Sequence, residues 1–503
     1  MSISPTEKPG IKLKMIDIAP ARWMGGIAFK FGIAVVGTAV IGVGASIMSA
    51  SAGRSATMDA SRVDDTKQSA LNVAAAPVAA PAQSVLTNPA ITSPQPSQPV
   101  AVAVVARDAA FTTKPESPNA TAVTVRGVSD HEIRFGIAAP FSGPSKGLGI
   151  QMKLGIQTAF NAANQAGGVN GRMLTLVTAD DGYEPARTGG AMKELYEKDR
   201  IFGIIGNVGT PTGAVALPYA LSQRMLFFGA FTGAPLLRRD PPDRYVFNFR
   251  ASYAEETFAA VKYLVKTRRL RPEQIAVFAQ QDGYGDAGFE GVAKAMRSLR
   301  PSDDTNTTLR LGYKRNTVEV DEAIAQLQQY QKEHRATPIK AVVMVATYRA
   351  AAKFIEKTHD GSPGLTYTNV SFVGSTSLAE ELMVLGPKYA SGVIVTQVVP
   401  AVDSYASVVL DYKAALAKSF PGEAADYVSL EGYLAASVLI EGLKRAGPDL
   451  DTERLVGALE NLRDFDLGLG THVNFGRAEH QALHKVWGTQ IEATGYFTAL
   501  DLE

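Results

Sequence analysis

The residues able to do chemistry in this 503-residue chain are sparse and poorly grouped. It contains no cysteine. That removes disulfides, thiol nucleophiles, iron–sulfur clusters, cysteine-ligated zinc and a lipid anchor on a processed cysteine. Six histidines (His131, His334, His359, His472, His480 and His484) are scattered. Only His480 and His484 share an i, i+4 spacing, and no acidic residue stands between them as a zinc protease requires. The pattern G-x-S-x-G occurs once, at Gly143-Pro-Ser145-Lys-Gly147, with no histidine or acidic residue beside it in sequence, and no G-x-x-x-x-G-K-[ST] loop occurs. The carboxylate pairs Asp180-Asp181 and Asp303-Asp304 are adjacent in sequence. In a strand their members face opposite sides, so they read as turn or capping residues rather than acid–base pairs. These observations predict no catalytic centre, no metal and no cofactor.

Two glycine-rich stretches remain. Gly283-Tyr-Gly285-Asp-Ala-Gly288 fits G-x-G-x-x-G, with Asp303 and Asp304 some 20 residues further on. Gln280-Gln281-Asp282 separates its first glycine from the preceding strand, and the acidic pair falls in a polar loop. An NAD-dependent enzyme is therefore a remote alternative. Gly206-Asn-Val-Gly-Thr210 ends an apolar run and opens an alanine-rich segment. Glycine there lets the backbone approach a ligand, and a helix start offers N–H groups and partial positive charge to a carboxylate. Thr210 adds a hydroxyl donor. A second reading of Thr210 or Thr212 is a helix cap.

Short apolar runs alternate with amphipathic stretches from about Val128 onward. Ile133–Ala138, Leu174–Val177, Ile201–Ile205 and Met225–Phe228 read as strands, separated by helices over Gly149–Ala166, Pro185–Glu197 and Gly213–Gln223. The rhythm restarts after Arg250, with strands Ile275–Phe278, Leu309–Tyr313, Ala341–Val345, Val370–Val373 and Gly392–Thr396. Helices accompany them at Phe258–Lys266, Gly288–Leu299, Val320–Tyr330 and Ala350–Thr358. Three more follow at Tyr405–Lys418, Ser429–Arg445 and Thr452–Leu462. Such alternation predicts α/β architecture with mostly parallel sheets. Roughly 370 residues exceed one sheet, so two lobes are expected.

The preceding chain has a different character. Lys8, Lys12, Lys14, Arg22 and Lys30 lead into an uncharged stretch, 31–53, ending near Ala50-Ser51-Ala52. That stretch is long enough to span a bilayer and carries an A-x-A cleavage pattern. Residues 1–53 are thus a signal peptide or a membrane anchor, and either way everything after Gly53 lies outside the cytoplasm. Residues 54–127, rich in Ala, Pro, Ser and Val, are expected to form a disordered linker of roughly 70 residues and about 50 Å mean span. A net charge of +1 offers nothing to nucleic acid.

An ordered set of motifs resembles the leucine/isoleucine/valine-binding family of type I periplasmic binding proteins. It comprises Ala138-Ala-Pro-Phe-Ser-Gly-Pro-Ser145, Gln165-Ala-Gly-Gly-Val-Asn-Gly171, Asp180-Asp181 with Pro185, and Gly206-Asn-Val-Gly-Thr210. Phe228-Gly-Ala-Phe-Thr232, Phe249-Arg250 and Asp282-Gly-Tyr-Gly285 complete it. The resemblance implies a two-lobed clamp joined by three crossovers. Its N-terminal lobe would be 128–250 and 400–470, and its C-terminal lobe 251–399 and 471–503. It implies a solute-binding protein, not an enzyme, that captures an amino acid or related small carboxylate by hinge closure for an ABC permease. A membrane-tethered sensor or partner-binding protein of the same fold is the alternative. By this resemblance Thr210 holds the ligand carboxylate, with Asn207 and Gly209 in the same loop. Ala230 and Thr232 add contacts from the next strand end, Tyr284 and Tyr348 cover the ligand, and Ser142 faces the cleft. Thr376 departs from the pattern: it falls where amino-acid binders place a carboxylate for the ligand ammonium. A neutral hydroxyl is a poor partner for a buried ammonium. Asp282 or Glu255 are the nearby substitutes, and a carboxylate ligand without an α-amine becomes credible.

Overall fold

The computed structural model describes residues 124–299 and 308–503. The expected leader, most of the expected linker, and Asp303-Asp304 lie outside them. Among the described residues no helix is long and apolar enough to cross a membrane.

The chain enters through Val125–Val128, already packed on the folded body, with Arg126 stacked on the Tyr196 ring. It then alternates β1 (Glu132–Ala139), α1 (Lys146–Gln165), β2 (Met173–Asp180), α2 (Pro185–Lys193), β3 (Gly203–Ile205), α3 (Thr210–Ser222), β4 (Leu226–Phe228) and β5 (Val246–Phe247). These strands form one parallel sheet in the order β2-β1-β3-β4-β5.

At residues 248–252 the chain crosses to a second lobe. There α4 (Tyr253–Lys262), β6 (Ile275–Gln280), α5 (Gly283–Leu299), β7 (Arg310–Tyr313), α6 (Asp321–Glu333) and β8 (Ala341–Val345) lead on to α7 (Tyr348–His359). Next come β9 (Thr366–Asn369), α8 (Ser375–Leu385), the single turn α9 (Pro387–Ala390) and β10 (Ile394–Gln397). A return crossover brings α10 (Ser407–Ser419), α11 (Tyr427–Ala446) and α12 (Thr452–Glu460) back to the first lobe, where α10 and α11 pack on α1. A small hairpin, β11 (Phe465–Asp466) and β12 (His472–Val473), precedes the third crossing. That crossing leads into β13 (Trp487–Ile491) and β14 (Phe497–Leu500). The second sheet has the order β14-β13-β10-β9-β8-β6-β7, parallel except at β13 and β14. This is the two-lobed α/β clamp that the strand–helix rhythm predicts.

Local chemistry accounts for the elements. Every residue of β6 (IAVFAQ) and β8 (AVVMV) is buried, the continuous apolar run of a parallel strand covered on both faces. In the first lobe α1 and α11 cover one face of the sheet, while Met192, Leu195, Ala216 and Leu217 of the α2 and α3 side form a separate core on the other. A cluster that includes Tyr183 and Phe231 of the first lobe and Tyr284 and Phe372 of the second runs without a break between lobes.

One expectation needs correction. Val370–Val373 is not a strand. β9 ends at Asn369, and residues 371–373 form a single 3-10 turn closed by left-handed Gly374. His480 and His484 lie in the third crossover rather than on a helix, so their i, i+4 spacing does not bring them to one face. Among the described residues no group of three or more His, Asp or Glu gathers as metal ligands. Gly285 and Gly288 serve helix packing: a Cβ on Gly285 would meet the Gln280 carbonyl oxygen at 1.9 Å, and one on Gly288 the Val345 side chain at 2.4 Å.

Candidate functional site

The site grows from the ends of β3 and β4. Their ladder extends beyond the regular strands: Val208 bridges Phe231, Phe231 N donates to Asn207 O, and Gly209 N donates to Phe231 O. This register sets Thr210 beside Thr232, and their hydroxyls lie 2.7 Å apart. Gly209 takes a φ of 108°, and a Cβ there would stand 2.3 Å from the Tyr183 ring, so only glycine permits the close cover that Tyr183 provides.

The capping alternative does not hold. Gly209 is the N-cap of α3, and no side chain caps that helix. The Thr212 hydroxyl instead donates back to Val208 O at 2.5 Å. Thr210 is committed to Thr232, leaving the helix start to face the cleft with its partial positive charge. Asn207 is structural in its contacts, donating from Nδ2 to Ala138 O at 2.9 Å. Ala230 is buried, and its carbonyl takes the Thr232 N–H at 2.8 Å.

From the second lobe, the start of α5 closes on this loop. Gly283 lies against the Thr210 methyl, and Tyr284 follows it, fully buried. Tyr253, the first residue of α4, packs on Tyr284 with ring centroids 5.3 Å apart. Tyr253 Oη lies beside the threonine pair without a well-formed bond to either, and neither it nor Tyr284 Oη has a hydrogen-bond partner. Burial pushes Tyr253 up to about 12, with Arg250 opposing, and burial drives Tyr284 well above its ordinary value. Both are therefore neutral donors at physiological pH. Phe372 fills the middle of the cluster, 4.6 Å from the Tyr284 ring, stacked on Phe231 at 5.0 Å and 6.0 Å from Tyr183.

The remaining expected residues make contacts of their own. Ser142 donates to Asp180 Oδ2 at 2.6 Å, and Asp180 also takes the N–H groups of Phe141, Ser142 and Gly182. Burial alone would raise Asp180, but these bonds and Arg187 hold it at about 2. Its neighbour Asp181, raised by burial to about 6, accepts from Tyr183 N and Thr188. Tyr348 joins the lobes at another point, donating to Pro144 O at 2.6 Å. Thr376 sits near Asp426, the cap of α11, whose carboxyl is raised by burial and eased by the Thr376 hydroxyl. Asp282 is occupied by Arg315, Gln280 and the Tyr284 N–H, and Glu255 by His484, Gln481 and Ser252.

Residue types alone missed Tyr183, Phe231, Tyr253 and Phe372. Tyr183 and Phe231 lie within or directly after recognised motifs, and Tyr253 stands three positions beyond Arg250. Their signal was therefore present as unassigned aromatics. Beneath them Arg250, fully buried, pairs with Glu256 at 2.9 Å and Glu431 at 3.5 Å and bonds Ser371.

A parallel first-lobe sheet, a mixed second sheet, three crossings and a buried interlobe site of hydroxyls and aromatics form a specific combination, and known proteins share it. The family profile described as periplasmic binding protein matches residues 132–496. A Leu/Ile/Val-binding protein from Rhizobium johnstonii, BraC3, is 25% identical over 348 residues, covering 67% of this chain and 86% of its own. The crystal structure of a possible leucine/isoleucine/valine-binding protein from Rhodopirellula baltica is 38% identical with a TM-score of 0.69. It covers 76% of this chain and 98% of that one. The fold is also shared, at 16% identity and a TM-score of 0.63, with a branched-chain amino acid ABC transporter protein from Thermus thermophilus bearing valine. That match covers 74% of this chain and 96% of the other. The chain belongs to the periplasmic binding proteins, a family of extracytoplasmic solute binders rather than enzymes.

Proposed function

We propose that this protein captures a small carboxylate, an amino acid or a relative lacking the α-amine, between its lobes and presents it to an ABC permease. One observation carries the reading: the buried Tyr253 hydroxyl lies beside the Thr210–Thr232 pair at the uncapped start of α3, and neither it nor the buried Tyr284 hydroxyl has a well-formed hydrogen bond. Buried hydroxyls rarely go unpaired in a folded protein, and a carboxylate supplies the acceptors such donors need. Phe231, Phe372 and Tyr183 supply apolar walls for the rest of the molecule. Thr376 is neutral, and Asp282 and Glu255 are engaged elsewhere, which favours a ligand without an ammonium group. Thr210, Thr232 and Tyr284 are the contacts proposed first, with Gly209 and Ala230 shaping the loop. Ser142, Asn207, Tyr348 and Thr376 support it from outside. Residues 1–53 would export the chain or tether it to the inner membrane.

A thermal-shift screen of the full chain against amino acids, aliphatic and aromatic carboxylates and NAD tests the reading. A ligand at 100 times its dissociation constant adds about 2.7 kcal/mol. A carboxylate hit that disappears in Thr210→Ala supports it, whereas a response to NAD alone refutes it.

A further inference from the structure

Beyond the threonine pair, the turn after β7 makes a second set of contacts between the lobes. Arg315 forks: Nη2 donates to Glu184 Oε2 of the first lobe at 2.9 Å, and Nη1 to Asp282 Oδ2 of the second at 3.0 Å. Next to it, Asn316 Nδ2 donates to Glu184 Oε1 at 2.6 Å and to Gly182 O at 3.0 Å, while Ser145 donates to Asn316 Oδ1 at 3.1 Å. With a longer Asn316 bond to Tyr183 O at 3.5 Å, six bonds thus gather on two consecutive side chains, five of them crossing the cleft.

The segment they grip is conformationally unusual. Gly182 and Tyr183 both have left-handed backbone, with φ of 59° and 61°, and so does Asn316 at 59°. A tyrosine holds that conformation only where its surroundings fix it. Here Asp181 fixes its N–H, and Asn316 takes up the carbonyl of the preceding residue. The Tyr183 ring is the one that covers Gly209, directly before Thr210. On the other side Asp282, held by the same guanidinium, accepts the Tyr284 N–H at 3.0 Å and Gln280 Nε2 at 2.7 Å.

We infer that Arg315 and Asn316 are positioning residues: a clasp on the second lobe that grips the Gly182–Glu184 turn and sets Tyr183 and Tyr284 over the start of α3 as the lobes close. The inference rests on the reading that the cleft opens and closes around a solute. Both ends of the Arg315–Glu184 pair are partly exposed, so its strength is modest and falls with salt. A clasp of that kind biases closure without preventing release.

The test uses interlobe distance and needs no ligand. Because the chain has no cysteine, Glu197→Cys on the first lobe and Gln328→Cys on the second can be labelled uniquely for energy transfer in the full-length protein. Arg315→Gln and Asn316→Ala are each expected to lower the closed-to-open ratio about two- to fivefold. Arg315→Lys, which keeps the charge and loses the fork, should fall between. About 1 M salt should open the unsubstituted chain and leave Arg315→Gln little changed. A distance distribution that neither substitution alters overturns the clasp. Variants that open the cleft while the solute screen stays silent uphold the clasp and refute the solute reading. A carboxylate hit whose dissociation rate and interlobe distance ignore both substitutions does the reverse.

Discussion

Gln280, the last residue of β6 in the second lobe, donates from Nε2 to the Tyr183 hydroxyl of the first at 3.1 Å. Tyr313 donates to Gln280 Oε1 at 3.0 Å and accepts the Thr347 N–H, so a chain of bonds runs from the floor of one lobe to the ring that covers Gly209 in the other. The contact between the lobes is thereby tied to the loop that carries Thr210, and the Tyr183 ring and hydroxyl make separate contacts.

Tyr183→Phe removes the hydroxyl and keeps the ring. Gln280 retains Asp282 as an acceptor, so the expected cost is about 0.5–1.5 kcal/mol in urea unfolding. Gly209→Ala keeps the hydroxyl and displaces the ring, and its positive φ adds strain. It should cost more than about 1 kcal/mol and weaken solute binding as well. Equal effects from the two substitutions would contradict this division.

The threonine pair can be separated from stability in a similar way. Thr210→Val alone takes away the side-chain partner of the buried Thr232 hydroxyl and leaves it only the Ala234 N–H, at about 1 kcal/mol. Replacing both threonines by valine removes that donor and acceptor together and adds only the loss of the long Ala234 N–H bond to Thr232, so it is expected to cost little more than the single change in unfolding experiments. Carboxylate binding should nevertheless be lost in the double variant. Binding retained there would show that the pair is only structural.

Sequence order made the Thr210–Thr232 region legible because both loops lie at ends of consecutive strands, where neighbouring is the rule for parallel units. Phe372 was misread for a physical reason. Val-Ser-Phe-Val has strand composition, but Asn369 Oδ1 takes the Val370 N–H and Glu256 takes that of Ser371, and the latter partner is 115 residues away. The β13 and β14 strands escaped because their polar and exposed positions do not alternate cleanly. The clasp was invisible because Arg315 and Glu184 acquire meaning only once the lobes meet.

Stability should peak in acidic solution. Glu255 is partly buried, which would raise it, but His484, Ser252 and Gln481 hold it at about 2. Its contribution is present above its ordinary value near 4.5 and is lost as pH falls from there towards 2. His484 is raised above 6.5 by its bond to Glu255, so its contribution is complete below 6.5 and fades as pH rises through the higher folded value. Asp181, raised by burial to about 6, acts in the same direction, its ionisation opposing the fold as pH climbs from 3.8 through 6. Urea midpoints measured across pH should therefore be highest at about pH 4 to 4.5, where Glu255 is ionised and Asp181 still largely protonated, and should decline as pH rises from there. His484→Gln should flatten the alkaline side. A midpoint still rising above pH 7 would overturn the assignment.

Arg250 is fully buried between Glu256 and Glu431, and the two carboxylates are not equivalent. Glu256 Oε2 also accepts Ser371 N at 2.8 Å and Thr396 Oγ1 at 2.6 Å, whereas Glu431 lies 3.5 Å from the guanidinium and is raised by burial to about 7 despite Arg250. A carboxyl near half-protonation at neutral pH contributes little as an anion. Glu431→Gln is thus expected to cost no stability at pH 7, and to remove the loss that the raised carboxyl brings as pH climbs from 4.5 to about 7. Arg250→Leu leaves both carboxyls buried without a cation and should cost about 3–5 kcal/mol. Guanidinium unfolding of the two variants at pH 7 decides the point: comparable losses would mean that Glu431 is fully charged and bears half of the pairing.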